Sequence, residues 1–227
     1  MKLIKKLIKK LIASKRYRDK IKGYSSFYKK NKDYTMIDEK TYINNLKIAE
    51  KAKNIAGDIV ECGVWRGGMI AGIAELMGPK SKYYLYDSFE GLPNPTEMDG
   101  IKAMEWQNNP DEEHYHDNCR AEIKFANEAM TKTGVDFELI KGWFENTIPF
   151  HKHENISLLR LDADWYDSTI ICLNHLFPKV VLGGIIIIDD YYSWEGCSKA
   201  VHDYLSEIKS NCRIFQLDNR TAYIIKK

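Results

Sequence analysis

Asp58-Ile-Val-Glu-Cys-Gly-Val-Trp-Arg-Gly-Gly68 begins as an apolar run and ends in glycines. The run reads as a buried strand that stops at Glu61. The chain then turns through Gly63, and a helix starts near Gly67 or Gly68. A glycine-rich turn between a strand and a helix N-terminus lets a ligand approach the backbone closely. The same glycines would also serve an ordinary tight turn, so the neighbouring elements decide between the two readings.

Downstream, strand and helix patterns alternate, which predicts parallel βαβ units. Met69–Met77 reads as a helix stopped by Gly78-Pro79. Lys82–Asp87 is a second strand, and its terminal acid falls 26 residues after Glu61. Residues 88–119 form a long connection carrying Trp106, His114 and His116, expected as a structureless functional loop. A helix is expected over Asp117–Lys132, a third strand over Asp136–Lys141 and a fourth over Ile156–Asp162. After a helix from about Ser168 to Phe177 comes Ile185–Ile188, apolar on both faces as a central parallel strand should be, and ending in Asp189-Asp190. Glu195–Lys209 reads as a helix. Arg213–Asp218 and Ala222–Lys226 read as a closing hairpin with an antiparallel strand. Upstream, residues 24–56 read as irregular structure and then a helix with Tyr42, Ile43, Leu46, Ile48 and Ala49 near one face.

The chain of 227 residues is long enough for one α/β domain with an appendage. Its five cysteines are scattered and form no C-x-x-C pair, which argues against a disulfide framework or zinc site and for a reducing cytoplasm. No stretch approaches the ~20 apolar residues needed to span a bilayer. Residues 1–32 carry 13 Lys/Arg and one acid, a net +12, while the remainder is −10. We therefore read 1–32 as a basic amphipathic arm and 33–227 as the domain. The acidic body is unsuited to nucleic acid. Within the arm, Leu3, Ile4, Leu7, Ile8, Leu11 and Ile12 take one side of a helix, and Lys2, Lys5, Lys6, Lys9 and Lys10 the other. Such a face suits peripheral contact with an anionic membrane through residues 2–20, or packing on the body or a neighbouring subunit.

In a doubly wound sheet, ligands bind outside the carboxyl ends of the strands, so Glu61, Asp87, Asp162, Asp189 and Asp190 are expected to converge on one crevice. Carboxylates crowded there repel unless a cation or charged ligand is bound. Glu61, Gly63 and Gly67 have the E-x-G-x-x-x-G spacing of S-adenosylmethionine (SAM) methyltransferases and lack the G-x-G-x-x-G of dinucleotide enzymes. The charges of SAM would account for Glu61 and Asp87, with Asp87 accepting from ribose hydroxyls. Asp162, Asp189 and Asp190 are hard oxygen ligands suited to Mg²⁺. A cation there would orient a sugar hydroxyl and lower its pKa while a nearby base takes the proton.

Five stretches together resemble the macrocin O-methyltransferase (TylF/MycF) family: Glu61–Gly68, Asp87-Ser-Phe-Glu-Gly-Leu-Pro93, Lys141–Pro149, Leu161-Asp-Ala-Asp-Trp-Tyr-Asp-Ser-Thr169 and Gly183–Tyr191, with Ala200–Tyr204 also fitting. The resemblance covers about residues 34–226. It implies an α/β class I SAM-methyltransferase (Rossmann-like) fold: a mostly parallel seven-stranded sheet with a C-terminal antiparallel strand and helices on both faces. It also implies SAM as donor, Mg²⁺ dependence and a sugar hydroxyl as acceptor. By motif, Glu61, Cys62, Gly63, Val64, Trp65 and Gly67, with Asp87, Ser88, Phe89, Glu90 and Gly91, would line the SAM site. Gly142 and Trp143 lie beside it, and Thr35 and Met36 match a segment that closes on SAM. Asp162, Asp189 and Asp190 match the metal aspartates, with Asp162 also facing SAM. The family's histidine base falls in the long connection, where His114 and His116 are the candidates. If neither serves, Asp162 itself takes the proton.

The Lys-rich start lies outside the shared pattern. It directs the expected acceptor toward a bacterial surface glycan on a lipid-linked precursor, modified by a cytoplasmic enzyme at the inner membrane face, rather than a macrolide; a glycosylated natural product remains open. The alternatives are N-methylation of an amino sugar and non-catalytic binding of SAM or a glycan. The resemblance is also compatible with a homo-oligomer.

Overall fold

The computed structural model describes residues 2–111 and 115–227, and for residues 2–14, 16 and 17 the backbone alone. Its strands are β1 (Asp58–Cys62), β2 (Tyr83–Asp87), β3 (Phe137–Lys141), β4 (Ile156–Leu161), β5 (Val180–Ile188), β6 (Ile214–Gln216) and β7 (Ala222–Ile225). They form one sheet in the order β3-β2-β1-β4-β5-β7-β6. The first five strands run parallel, and β7 is antiparallel to both β5 and β6. This is the expected seven-stranded, mostly parallel sheet. The helices are α1 (Lys2–Asn31), α2 (Glu39–Ala49), α3 (Gly68–Met77), α4 (Gly100–Gln107), α5 (His116–Cys119), α6 (Ile123–Thr131), α7 (Phe144–Thr147), α8 (Tyr166–Leu176) and α9 (Glu195–Glu207).

Strand alternation divides the core in two. Ile59, Leu158, Ile185 and Ile187 face α2, α3 and α6. Val60, Leu159, Leu161, Ile186 and Ile188 face α8 and α9. Each fully buried side chain of this size stabilises by about 1.5–3 kcal/mol relative to exposure. The strand order reverses beside β1, which has β2 on one side and β4 on the other. That reversal opens the crevice at the carboxyl ends.

Three expectations are corrected. Residues 24–31 are helical, continuing α1, because Ile21, Tyr24, Phe27 and Tyr28 recur at helical spacing and pack on the core. The connection over 88–119 is not structureless. Thr96 and Asp99 form a capping box that leads into α4, a signal present in the sequence as Thr96-x-x-Asp99. The helix expected from Asp117 starts only at Ile123. Before it, α5 is a single turn whose residues have φ between 44° and 57°, the left-handed region, so a right-handed helix cannot run through. Among the described residues, no helix is long and apolar enough to cross a membrane.

Candidate active site

The ends of β1 and β4 approach so closely that only glycine fits between them. Asp162 N–H donates to the Cys62 carbonyl at 2.8 Å. A Cβ on Gly63 would lie 1.8 Å from the Asp162 carbonyl oxygen, and Gly63 has φ 82°. The turn that follows is held from β2. Asp87 Oδ2 accepts from the N–H groups of Val64 (2.7 Å) and Trp65 (2.8 Å), and Oδ1 accepts from Phe89 N–H at 2.6 Å. Trp65 and Phe89 sit at φ 49° and 56°, a region bulky residues rarely occupy, and the Asp87 carboxylate holds both there. Burial raises the pKa of Asp87, and its three backbone donors act against that. A carboxylate has about four acceptor sites, so roughly one is left for a ligand hydroxyl.

Below the crevice lies a buried ionic hub. Arg160 on β4 is 1% exposed. Its Nη1 donates to Glu61 Oε1 (2.9 Å) and Asp162 Oδ2 (3.0 Å), and its Nε donates to Asn45 Oδ1 (3.3 Å). Its Nη2 lies 2.9 Å from Asp189 Oδ1 as an ion pair without hydrogen-bond alignment. The geometry follows from register: Glu61 is paired with Arg160 across β1 and β4, so both face the same side. Burial pushes the Glu61 carboxyl up to about 8 despite the guanidinium beside it.

Above the hub, Asp162, Asp164 and Asp190 each present an oxygen, all within 4.8 Å of one another. Asp164, at φ 55°, accepts from Trp194 Nε1 at 3.1 Å. Asp190 Oδ1 is 3.4 Å from Arg220 Nη2, and its buried Oδ2 has no hydrogen-bond partner. Burial and then mutual repulsion raise Asp164 to about 8 and Asp190 well above the carboxylate range. Hard oxygen donors that converge, repel one another and leave a buried oxygen unpaired fit a divalent cation such as Mg²⁺.

A cavity of about 1140 Å³ runs from the glycine turn to these acids. Of the residues singled out in the sequence, Met36, Gly63, Trp65, Asp87, Ser88, Gly91, His116, Trp143, Asp162, Asp189 and Asp190 line it. His116 lies beside Trp65, with ring centroids 6.2 Å apart. Glu61 does not open onto this cavity; it is buried against Arg160. Cys62, Val64 and Phe89 are core residues, although the Val64 and Phe89 N–H groups serve the Asp87 clamp. Gly67 caps α3, and Gly142 N–H bonds the Asp87 carbonyl. Thr35 turns its hydroxyl to Ile37 N–H, and Glu90 is exposed at a separate neighbouring hollow. His114 lies outside the described residues.

The sequence reading missed Arg160, Asp164, Trp194 and Arg220. Asp164 was legible as the second acid of an Asp-x-Asp step at a strand end. Arg160 was legible as a charge inside an otherwise apolar strand, which needs buried partners.

Comparison with known proteins adds to this geometry. Residues 5–226 match the family model described as Macrocin-O-methyltransferase (TylF). The chain is 31% identical over 220 residues to demethyldecarbamoylnovobiocin O-methyltransferase of Streptomyces niveus, covering 91% of this chain and 80% of the relative. It is 29% identical over 199 residues to mycinamicin III 3''-O-methyltransferase of Micromonospora griseorubida, covering 84% and 77%. Among solved structures it is similar to the O-methyltransferase NovP, with TM-score 0.72, 28% identity and coverage of 86% and 82%.

Proposed function

The chain belongs to the macrocin-O-methyltransferase (TylF) family, and from that premise we propose that it transfers a methyl group from SAM to a sugar hydroxyl. The observation that carries this reading is the convergence of Asp162, Asp164 and Asp190 in the same cavity as the glycine turn and its Asp87 clamp. SAM supplies the methyl group from its sulfonium and leaves as S-adenosylhomocysteine.

The chain's residues divide the remaining work. Asp87 fixes the backbone at Val64 and Trp65, against which the donor would lie. Asp162, Asp164 and Asp190 would hold Mg²⁺, which polarises an acceptor hydroxyl when bound. Asp189 serves from below, through Arg160. His116 lines the cavity and takes the hydroxyl proton in this reading, because Asp162 Oδ2 is already committed to Arg160. Alignment of donor and acceptor in one cleft would supply much of the rest.

The two relatives are O-methyltransferases by name, and a third, of Streptomyces olivaceus, is named for a rhamnosyl compound, which supports a sugar hydroxyl as acceptor here. The basic helix that precedes the body favours a lipid-linked sugar of a surface glycan, met at an anionic membrane. Removal of residues 1–20 is then expected to abolish binding to phosphatidylglycerol vesicles; equal binding by both forms contradicts the membrane placement.

The experiment for the site is calorimetric titration of EDTA-treated protein with SAM and then Mg²⁺. Binding of both supports the reading, and failure to bind SAM ends it.

A further inference from the structure

Arg220 stands at the edge of the acid cluster, and neither donor binding nor proton transfer employs it. It comes from the turn between β6 and β7, whose backbone is fixed at the site. Asp218 Oδ1 accepts from the N–H groups of Arg220 (3.0 Å) and Thr221 (2.9 Å). The Arg220 carbonyl accepts from Tyr192 N–H at 2.9 Å, and the Thr221 hydroxyl donates to Asp189 Oδ1 at 3.3 Å. Only the side chain is left to move. Among the described residues, the other Lys or Arg lining the cavity is Lys102, whose Nζ already donates to the Ser193 carbonyl at 3.0 Å.

The pairing of Arg220 with Asp190 is half made. A guanidinium and a carboxylate that match form two parallel bonds of about 2.7–2.9 Å. Here there is one contact, Nη2 to Oδ1 at 3.4 Å. Arg220 Nε and Asp190 Oδ2 are both buried and both lack a hydrogen-bond partner. Arg160 is the contrast. Its side chain is 1% exposed and bonded to Glu61, Asp162 and Asn45, so it cannot leave. The Arg220 side chain is 42% exposed and has solvent to move into.

We propose that Arg220 is the exchangeable counter-ion of the acid cluster. Its guanidinium offsets Asp190 in the metal-free protein and withdraws when a divalent cation binds Asp162, Asp164 and Asp190, so it sets the affinity for that cation. A positive charge beside Asp190 weakens the attraction of the cluster for a second cation. Without any counter-charge, the buried carboxyl would be costly as an anion. The exchange is cheap because the contact that breaks is long and the freed guanidinium returns to water. This rests on the metal part of the proposed function and names the residue that tunes it.

The test is calorimetric titration of EDTA-treated protein with Mg²⁺. Arg220→Gln is expected to bind Mg²⁺ about tenfold more tightly than wild type, and Arg220→Lys, which keeps the charge, to stay within about threefold of it. In urea unfolding, Arg220→Gln is expected to be less stable than wild type in EDTA, with part of the deficit recovered at saturating Mg²⁺. A purely structural role would leave the same deficit in both conditions. The exchange is also read in the wild type: the Arg220 Nε–H NMR signal, identified by its loss in Arg220→Lys, should shift as Mg²⁺ is added. That measurement decides the matter if Arg220→Gln fails to fold. Mg²⁺ affinity in Arg220→Gln equal to or weaker than wild type overturns the proposal, and so does an Arg220 signal unmoved through saturation. If wild-type protein binds no Mg²⁺, the metal part of the proposed function falls, and this proposal with it.

Discussion

Asp189 and Asp190 are neighbours in the chain and turn to opposite partners. Asp189 Oδ1 pairs with Arg160 in the buried hub, whereas Asp190 joins Asp162 and Asp164 in the cavity and faces Arg220. Both follow the end of β5 at Ile188, where the chain turns, and the turn sends them to different partners. The pair should therefore separate under mutation. Asp190→Asn is expected to lose Mg²⁺ binding by calorimetry with stability unchanged or raised, because it replaces a buried carboxyl that burial and its acidic neighbours already disfavour as an anion. Asp189→Asn is expected to lose stability by about 3 kcal/mol in urea unfolding, as half of a buried ion pair. Similar behaviour of both variants contradicts the division.

Arg160 compensates Glu61, Asp162 and Asp189 together. Arg160→Met should destabilise by about 3–5 kcal/mol, chiefly because it leaves the buried Asp189 carboxylate without its counter-charge. Adding Asp189→Asn should recover part of that loss. A double mutant no more stable than Arg160→Met would show that Asp189 is not held as an anion by this guanidinium.

Asp87 acts on the donor through the backbone. Asp87→Ala removes three charge-assisted hydrogen bonds, each worth about 1.5–3 kcal/mol, and frees Trp65 and Phe89 from their left-handed conformations. SAM affinity by calorimetry should fall by at least about tenfold. Unaltered affinity would mean that the turn holds its shape unaided.

Away from the cavity, His153 is 3% exposed, and its Nε2 pairs with the Tyr86 hydroxyl at 2.7 Å. Burial, with His151 stacked beside it, lowers its pKa from 6.5 to about 4. Between these values the unfolded chain binds a proton that the folded chain refuses. The contribution of His153 to stability should thus be full above pH 6.5 and fall as pH drops toward 4, by about 3 kcal/mol, read as the difference between wild type and His153→Gln. Urea unfolding from pH 7 to pH 4 measures this. His153→Gln should flatten the slope in that window, and an equal slope in the variant would assign it to other groups.

Much of this architecture was legible in residue pattern alone. Apolar runs ending in Glu61, Asp87 and Asp162 marked parallel strands, and Gly63 marked the turn at the switch point. Side-chain direction was less legible. Asp189 and Asp190 look equivalent in the sequence, and the turn after β5 that gives them different partners has no signature there. Asp164 stands in the sequence as the second acid of an Asp-x-Asp step, but the left-handed backbone at that position leaves no trace in composition. Residues 24–31 read as irregular because their helix is held by contacts of Tyr24 and Phe27 with the core, a tertiary cause that local propensity does not carry.

Methyl transfer itself is the most direct test of the account. Purified protein would be incubated with methyl-labelled SAM, Mg²⁺ and sugars presented as glycosides and as lipid-linked phosphates, and the products hydrolysed and analysed by mass spectrometry. The account predicts label in an O-methyl sugar, absent with EDTA and absent in Asp190→Asn. Label on an amino nitrogen, or O-methylation undiminished by both EDTA and Asp190→Asn, would contradict it.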